Sequence, residues 1–230
     1  MQSVLSIPIS RNQNIEAVLF LSSTKKDAFE EYQLIILDIL CSYFTVSVEK
    51  ARNVEETVMK SERCALTKLY NYSFLDNQLA FEMDKLKNGV LDDLSLLILD
   101  IDHFKDVNDT YGHQRGNDIL FMLARLLEDL VPEGGIVSRY GGEEFVYLLP
   151  GISKTEGQMF SEKSRTDIKK HRFEIYPDRG KDRSALDVLI TVSIGVSSAP
   201  EDTDEANTLL RNADRALYLG AKQAGRNRVA

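Results

Sequence analysis

Apolar and polar residues alternate at the start of the chain and then give way to one long stretch with helical spacing. The alternation over 4–9 and 17–21, on either side of the polar segment 11–14, predicts a two-stranded hairpin. The segment 27–65 contains no Gly or Pro, and its apolar residues recur at spacings of four and three, which predicts one long helix with a heptad seam in its first half. The seam residues are Leu37, Cys41, Phe44, Val48, Ala51, Glu55 and Val58.

A hairpin and a helix of this kind leave apolar surface uncovered. A two-stranded hairpin is marginally stable alone, so these strands are either the remnant of a larger sheet or a small appendage of the domain that follows. The long helix is either an amphipathic helix that lies on its own domain, or one whose exposed stripe contacts a second copy of the chain. We expect the second arrangement, a homodimer formed through the long helix.

Beyond residue 71 the pattern alternates between helical and extended periods. The order β-α-β-β-α-β, with an additional helix at each end, predicts an α/β sandwich with one mainly antiparallel sheet. The charged segment 176–187 is expected to be an exposed loop. The predicted helices are 74–87, 117–130, 153–170 and 205–224, and the predicted strands are 94–100, 136–140, 144–149 and 189–197.

Composition and charge narrow the class of protein. A hydrophobic fraction of 43% with 28% charged residues excludes a disordered chain. Because Asp38 and Glu49 interrupt the most apolar stretch, no uncharged run approaches the roughly 18 residues of a membrane span. No secretion signal is recognisable at the start, so we expect no membrane span and a cytoplasmic location. The net charge of −8 argues against a nucleic-acid-binding surface.

Carboxylates cluster at the ends of two predicted strands. Asp100 and Asp102 follow the apolar run 96–99, and acids in this position are either surface caps or metal ligands. A predicted Gly141-Gly142 turn with positive φ brings Glu143 and Glu144 to the start of the next strand. If this hairpin lies beside the first strand, Asp100, Glu143 and Glu144 converge, and a divalent cation such as Mg²⁺ is their natural partner.

Basic residues near the end of the chain suit an anionic ligand. Lys222 and Arg226 are four residues apart on the predicted last helix and therefore share one face, where they could clamp phosphates. The alternative is a solvated basic helix end. His113, which lies between two glycines, is expected to have a structural role.

Six short motifs follow one another along the second part of the chain, and Lys222 and 225–228 (GRNR) come after them. They are 66–71 (LTKLYN), 100–105 (DIDHFK), 108–113 (NDTYGH), 139–145 (RYGGEEF), 191–195 (TVSIG) and 213–218 (ADRALY). Together these segments resemble the GGDEF family of diguanylate cyclases, here in a GGEEF variant, over about 65–229. The part before it resembles the C-terminal portion of a GAF sensory domain, which places the two domains at 1–65 and 66–230. The resemblance implies a palm-like nucleotidyl cyclase fold.

The resemblance implies that the protein condenses two GTP molecules into cyclic di-GMP and releases pyrophosphate. Each domain then binds one nucleotide, so two domains must face each other in a dimer. The implied metal ligands for Mg²⁺ or Mn²⁺ are Asp100, the Ile101 carbonyl, Glu143 and Glu144. The implied catalytic residues are Glu143, Asp100, Lys222 and Arg226, and the implied nucleotide-binding residues are His103, Phe104, Lys105, Asn108, Asn117, Gly141, Gly142, Lys222 and Arg226.

The sequence departs from the family pattern at three places. The family's inhibitory Arg-x-x-Asp product site is replaced by 132–135 (PEGG), so product inhibition through that site is not expected. The usual Asp at the nucleobase is Asn117, which cannot replace both carboxylate contacts to guanine and which could also pair with adenine. At the junction between helix and domain, the family's Asp, Gly and Arg become Cys64, Lys68 and Tyr72.

Three alternatives to a strict diguanylate cyclase stay open. Asn117 could relax base selectivity, so that ATP also serves as substrate and the product is cyclic GMP-AMP. The domain could instead be a non-catalytic nucleotide-binding module that signals by contact. An unrelated metal-dependent nucleotidyl transferase would share the carboxylates but not the remaining motifs.

Overall fold

The computed structural model describes residues 2–11, 14–176 and 185–230, without the side chains of 10, 11, 14, 16, 49 and 51–61. It divides the chain into two compact units, Met1–Ser61 and Glu62–Ala230. The first unit begins with two antiparallel strands, β1 (Ser3–Arg11) and β2 (Asn14–Ser23), so the predicted hairpin is confirmed and its strands are longer than expected. The long helix α1 covers Glu31–Glu62, which confirms the predicted helix apart from its ends.

The exposed stripe of α1 is not the one that the heptad assignment selected. Cys41 is only 7% exposed, and Leu37 and Val48 are half-buried, so these positions lie on the covered side of the helix. Of the first four predicted seam residues only Phe44 is largely exposed, and the side chains of Ala51, Glu55 and Val58 lie outside the described residues. The residues exposed at alternating spacings of four and three form what we call the α1 stripe: Tyr32, Ile36, Ile39, Tyr43 and Val46.

The same helix also has the length and composition of a membrane-spanning segment. Glu31–Val48 meets both criteria although Glu31 and Asp38 are charged, and only 6% of this window is buried. The sequence-based expectation concerned uncharged runs, whereas this window of 18 residues contains two charged ones. One such helix near the N-terminus is weak support for a span, because core helices and signal sequences have the same properties.

The second unit is built around a four-stranded antiparallel sheet in the order β4-β5-β3-β8. The predicted α/β sandwich with an antiparallel sheet is therefore confirmed. Two elements of three residues and one short helix were not predicted, and the loop expected over 176–187 is a strand at Leu186 and Asp187, with 177–184 outside the described residues. The strands are β3 (Leu94–Ile101), β4 (Ile136–Arg139), β5 (Glu144–Pro150), β6 (Phe173–Ile175), β7 (Leu186–Val188) and β8 (Val192–Ala199), and the helices are α2 (Tyr72–Lys87), α3 (Phe104–Tyr111), α4 (His113–Leu130), α5 (Lys154–Lys170) and α6 (Ala206–Arg215).

Helices cover both faces of the sheet, and this explains the nearly continuous apolar run of β3. Leu97 and Leu99 belong to one core cluster with residues of α4, whereas Leu96 and Ile98 belong to a second cluster with residues of α2 and α6. Successive side chains of a strand point to opposite faces, so a strand with two covered faces favours apolar residues at every position. The polar exceptions in β3 are Ser95, whose buried hydroxyl is hydrogen-bonded, and Asp100, near the end of the strand.

The last helix of the domain is not a single α-helix. After α6 the chain continues as a π-helical segment, Ala216–Lys222, and Arg226 lies beyond it with a positive φ of 61°. The segment packs against Gly195 of β8, where a Cβ would lie 2.1 Å from the Ala213 carbonyl oxygen and 2.3 Å from the Leu217 nitrogen. The prediction that Lys222 and Arg226 share one helical face is therefore wrong.

Candidate active site

Three carboxylates meet at one end of the sheet, as the sequence predicts. Asp100 ends β3 and stands directly opposite Glu144, the first residue of β5, in the antiparallel ladder. Glu143 precedes it, and its carbonyl oxygen accepts a hydrogen bond of 3.4 Å from the Ile101 N–H. The pairing of the two strands, rather than any side-chain contact, brings these residues together, and we call Asp100, Glu143 and Glu144 the acid cluster.

The acid cluster holds more negative charge than its surroundings balance. Burial raises the pKa of Asp100, which is 5% exposed, and the nearby Lys222 ammonium opposes that increase. Burial followed by the Asp100 charge raises the pKa of Glu143 and of Glu144, again against the effect of Lys222. Carboxylates whose pKa values are raised by burial and by each other gain from a bound cation.

Lys222 supplies the nearest positive charge. Its Nζ atom lies 2.8 Å from Asp100 Oδ2, at the end of the π-helical segment. Arg226 also influences this site, because its charge lowers the pKa of Asp100. Its backbone N–H donates to the Ala221 carbonyl oxygen at 3.0 Å, which fixes the turn that follows the helix. Lys222 thus contacts the acid cluster from a helix end, and Arg226 acts on it through its charge from the following turn.

Asp102 has a structural role that the sequence pattern did not reveal. Its two carboxylate oxygens accept hydrogen bonds from the Thr191 and Ser193 hydroxyls, both at 2.7 Å, and from the Asn227 N–H at 3.0 Å. Arg165 of α5 donates to the Asn227 side chain at 2.6 Å. Asp102 is therefore neither a surface cap nor an open metal ligand, and it holds the loop in which Arg226 precedes Asn227. Its partners are about 90 and 125 residues away, so no local pattern indicates them.

Arg139 holds the diglycine turn in place. Its Nε donates to the Gly141 carbonyl oxygen at 3.2 Å and its Nη2 to the Gly142 carbonyl oxygen at 2.6 Å. Neither glycine has a positive φ, so the predicted conformational reason for the pair is wrong. At Gly141 a Cβ would lie 2.6 Å from Glu144 Oε2, while at Gly142 no atom lies within 4 Å of that position. The glycines therefore make room for the Glu144 side chain and leave open space beside the acid cluster.

The segment after β3 presents backbone N–H groups next to the same site. His103 adopts a left-handed conformation, with φ of 56°, and α3 begins at the buried Phe104 and the exposed Lys105. The first N–H groups of a helix have no partner within that helix and suit an anion. This placement fits the phosphate-binding role that the family resemblance gives to these three residues.

The two predicted base-contacting asparagines lie on neighbouring helices. Asn108 of α3 packs against Gly116 of α4, where a Cβ would lie only 1.9 Å from Asn108 Oδ1. Asn117 follows Gly116 and is half-buried. The next carboxylate, Asp118, forms an ion pair with Arg115 on the same helix. Any side chain at 116 would therefore displace Asn108.

The donor set of the acid cluster fits a hard divalent cation, because carboxylate and carbonyl oxygens are the ligands that Mg²⁺ and Mn²⁺ prefer. Among the described residues, no group of three His, Cys, Asp or Glu side chains is already arranged around a common metal position. The ion pair between Lys222 and Asp100 occupies one of the carboxylate oxygens.

An antiparallel sheet with helices on both faces, and with acids at the end of a central strand and of the adjacent hairpin, is the palm-like fold of nucleotidyl cyclases. Residues 63–228 match the family described as diguanylate cyclase, GGDEF domain, and the chain belongs to this family.

Two curated relatives and one solved structure show the extent of the similarity. The chain is 31% identical over 201 residues to the probable diguanylate cyclase DgcF of Escherichia coli, covering 86% of this chain and 59% of that protein. It is 29% identical over 225 residues to diguanylate cyclase A of Treponema denticola, covering 97% and 58% respectively. The coiled coil and GGDEF domain of DgcB from Caulobacter crescentus, solved in complex with c-di-GMP, superimposes with a TM-score of 0.71 at 28% identity, covering 84% of this chain and 98% of that chain. The chain thus spans less than two thirds of the length of the two curated relatives.

Proposed function

We propose that this protein is a diguanylate cyclase that condenses two GTP molecules into cyclic di-GMP and two pyrophosphates. The observation that carries the proposal is the acid cluster with Lys222 directly beside it, at the end of the sheet that the family uses for this reaction. In each half-reaction the 3′-oxygen of one nucleotide forms a bond to the α-phosphorus of the other. The bond from that phosphorus to pyrophosphate breaks, and the hydroxyl proton leaves.

The residues around the acid cluster divide the work of binding and charge stabilisation. Asp100, the Ile101 carbonyl, Glu143 and Glu144 would hold Mg²⁺ or Mn²⁺, which polarises the phosphates and lowers the pKa of the attacking hydroxyl when bound. Lys222 and Arg226 bind the β- and γ-phosphates and stabilise the charge that develops on pyrophosphate.

Glu143 is the proposed proton acceptor for the attacking hydroxyl. A bound cation would lower the pKa of this carboxyl, so its proposed effect rests on its position beside the attacking hydroxyl more than on its basicity. Its backbone position is fixed by the hydrogen bond from Ile101 and by the turn that Arg139 holds. The backbone that carries this carboxylate is therefore held from two sides.

The proposed reaction requires two copies of the chain. Each domain offers one nucleotide site, whereas the product has two phosphodiester links related by a two-fold axis. The α1 stripe supports a dimer through the long helix, because it exposes five large apolar side chains at heptad spacing. We also propose that the hairpin is part of a GAF-like sensory domain, since its two strands have no further strand beside them in the described part of the chain.

Turnover with GTP tests the proposal directly. The full chain is incubated with GTP and Mg²⁺ or Mn²⁺, and the product is identified by its mass. Glu143→Ala should abolish product formation, whereas Glu133→Ala, an exposed acid outside the site, should leave it unchanged. Binding of GTP without product in the parent protein would support the alternative, a non-catalytic nucleotide-binding module.

Asn117 supports a second candidate, a cyclase with relaxed base selectivity. An amide offers one acceptor and one donor group, so it cannot accept two hydrogen bonds from guanine as a carboxylate does. Asp118 is the nearest replacement, but its carboxylate is paired with Arg115. Incubation with equimolar ATP and GTP should therefore give cyclic GMP-AMP beside cyclic di-GMP, and Asn117→Asp should restore guanine selectivity. Cyclic di-GMP as the sole product of both proteins contradicts this second candidate.

We also propose that the enzyme lacks product inhibition at the family's Arg-x-x-Asp position. Gly135 occupies the position of the Asp, and a Cβ there would lie 2.8 Å from Val131 Cγ2 and 2.9 Å from Leu149 Cδ2. The backbone at this position is therefore too close to its neighbours to carry an acidic side chain. Added cyclic di-GMP should leave the initial rate unchanged, and non-competitive inhibition by the product would show the proposal to be incorrect.

A further inference from the structure

A cysteine at the start of the second unit is connected to the diglycine turn through one arginine. The Cys64 Sγ accepts a hydrogen bond of 3.3 Å from Arg139 Nη1. The other nitrogens of the same guanidinium donate to the carbonyl oxygens of Gly141 and Gly142. The Arg139 main-chain N–H donates to the Tyr70 carbonyl oxygen at 2.8 Å, which ties the arginine to the Cys64 segment a second time. A single side chain therefore spans from Cys64 to the turn that precedes Glu143.

The backbone around Cys64 is well fixed. Its N–H donates to the Leu69 carbonyl oxygen at 2.8 Å, and its carbonyl oxygen accepts from the Lys68 N–H at 2.9 Å. The Thr67 hydroxyl is completely buried, and among the described atoms it has no partner that satisfies hydrogen-bond geometry. The Cys64 sulfur is the neighbouring acceptor, since the side chain and the backbone of Thr67 both lower the pKa of Cys64. A thiolate accepts hydrogen bonds from such donors more strongly than a thiol does.

The charged groups around the sulfur favour its ionised form. Burial raises the pKa of Cys64, but the neighbouring Thr67 and Leu66 groups and the hydrogen bond from Arg139 outweigh burial and lower the pKa to about 7. From β4 the facing charge is that of Arg139. On its own segment Arg63 lies over the Tyr70 ring at 3.7 Å and donates to the Lys68 carbonyl oxygen, so its charge is directed elsewhere.

We propose that Cys64 is a positioning residue of the cyclase reaction, which as a thiolate anchors Arg139 and so holds the turn that carries Glu143 and Glu144. This inference rests on the proposed cyclase activity. When the thiolate takes up a proton, the charge-assisted hydrogen bond to the guanidinium becomes an ordinary weak one, and the turn is held less firmly. The geometry of the acid cluster, and with it the turnover number, then depends on the ionisation of a residue that touches neither nucleotide nor metal.

The test compares the full chain with Cys64→Asp and Cys64→Ala over pH 6 to 8.5. In the parent protein kcat should rise through an ionisation near neutral pH that both variants lack. Cys64→Asp, a permanent anion, should keep the high-pH rate throughout. Cys64→Ala should lose about tenfold in kcat at high pH, which corresponds to about 1.4 kcal/mol. The KM for GTP should change little, because the substitution displaces the acid cluster and not the residues that contact the guanine base. Coincident pH profiles of the parent and Cys64→Ala overturn the inference.

A second measurement separates this inference from the cyclase proposal. The amide resonances of Gly141 and Gly142 are followed by NMR across the same pH range, with no nucleotide present. They should titrate together with Cys64 in the parent protein, and this titration should be absent in Cys64→Asp. In Arg139→Gln the rate of Cys64 alkylation by iodoacetamide should show a higher pKa than in the parent, because the hydrogen bond from Arg139 that lowers it is lost. If the parent protein shows no turnover but the glycine resonances still titrate with Cys64, only the cyclase proposal is contradicted. If the glycine resonances do not change as Cys64 titrates, the positioning role is contradicted.

Discussion

Replacement of Gly195 by alanine should destabilise the catalytic unit and displace Lys222. The added Cβ would lie 2.1 Å from the Ala213 carbonyl oxygen, 2.3 Å from the Leu217 nitrogen and 2.8 Å from the Leu217 Cα. Real Cβ contacts essentially never fall below 3.0 Å, so the helix backbone must retreat by at least 0.9 Å, the difference between 3.0 and 2.1 Å. All three atoms belong to the main chain, and no side-chain rotation can relieve the overlap.

Gly195→Ala should lower the free energy of unfolding because the added methyl group overpacks the core. Insertion of a methyl group into a close-packed core costs typically about 1 to 3 kcal/mol, and the backbone contacts place Gly195→Ala at about 3 kcal/mol, the upper end of that range. For a unit of this size the midpoint of thermal unfolding should fall by roughly 6 to 12 °C. Calorimetry and circular dichroism on the full chain measure this change. Turnover should also fall, because Lys222 ends the segment that moves and its ion pair with Asp100 is 2.8 Å long.

Gly142→Ala is the matched control for the glycine change. No atom lies within 4 Å of the position that its Cβ would take, so the unfolding midpoint should stay within about 2 °C, given a free-energy change below about 0.5 kcal/mol. Its expected effect is on nucleotide binding, because the methyl group enters the open space beside the acid cluster. An unchanged midpoint in Gly195→Ala would refute the close approach of helix and strand.

The remaining predictions concern the loop, the acid cluster and the long helix. Asp102→Asn should lower the free energy of unfolding by about 2 kcal/mol, because a neutral amide cannot accept all three hydrogen bonds. It should also raise the KM for GTP. Equal midpoints of urea unfolding and equal KM values in the two proteins would contradict the role of Asp102. Since the acid cluster has raised pKa values in the folded state, stability should decrease as the pH rises from about 4 through those values. Mg²⁺ should therefore raise the melting temperature more at pH 8 than at pH 5, which differential scanning fluorimetry checks. Ile36→Asp with Tyr43→Asp should give monomers in light scattering and lower turnover, whereas Ser42→Asp, on the same helix outside the α1 stripe, should leave the dimer intact.

The main sheet of the fold was predictable because its signals are local. The run of apolar residues in β3 is dictated by two covered faces, and the acids at its end interrupt that run visibly. The short helix α3 escaped prediction because its N-cap is His103, whose side chain makes no capping hydrogen bond. The π-helical turn escaped for a different reason. It accompanies a contact with Gly195, which lies about 20 residues earlier in the chain and on a different element.

The sequence predicted which residues form the site better than it predicted how they are held in place. Asp100, Glu143, Glu144 and Lys222 come together because strand pairing and one ion pair join their segments. The roles of the supporting residues depend on partners that are distant in sequence, and Arg139 illustrates this most clearly. Nothing in the local pattern indicates that its guanidinium spans two glycine carbonyls and a cysteine 75 residues earlier. The choice of the exposed helix stripe failed similarly, since several stripes of α1 are apolar and only tertiary burial distinguishes them.

The ladder between β3 and β5 sets where the protein can change in length. Main-chain hydrogen bonds place Asp100 opposite Glu144, and Arg139 pairs with Phe145 across the neighbouring hairpin. An inserted or deleted residue between Arg139 and Phe145 would shift the register of the hairpin by one residue. Every later side chain of β5 would then point to the opposite face of the sheet. The connection between α4 and β4 carries no such restriction at 132–134. Length variation is therefore admissible at that connection and excluded a few residues further along, where the acid cluster begins.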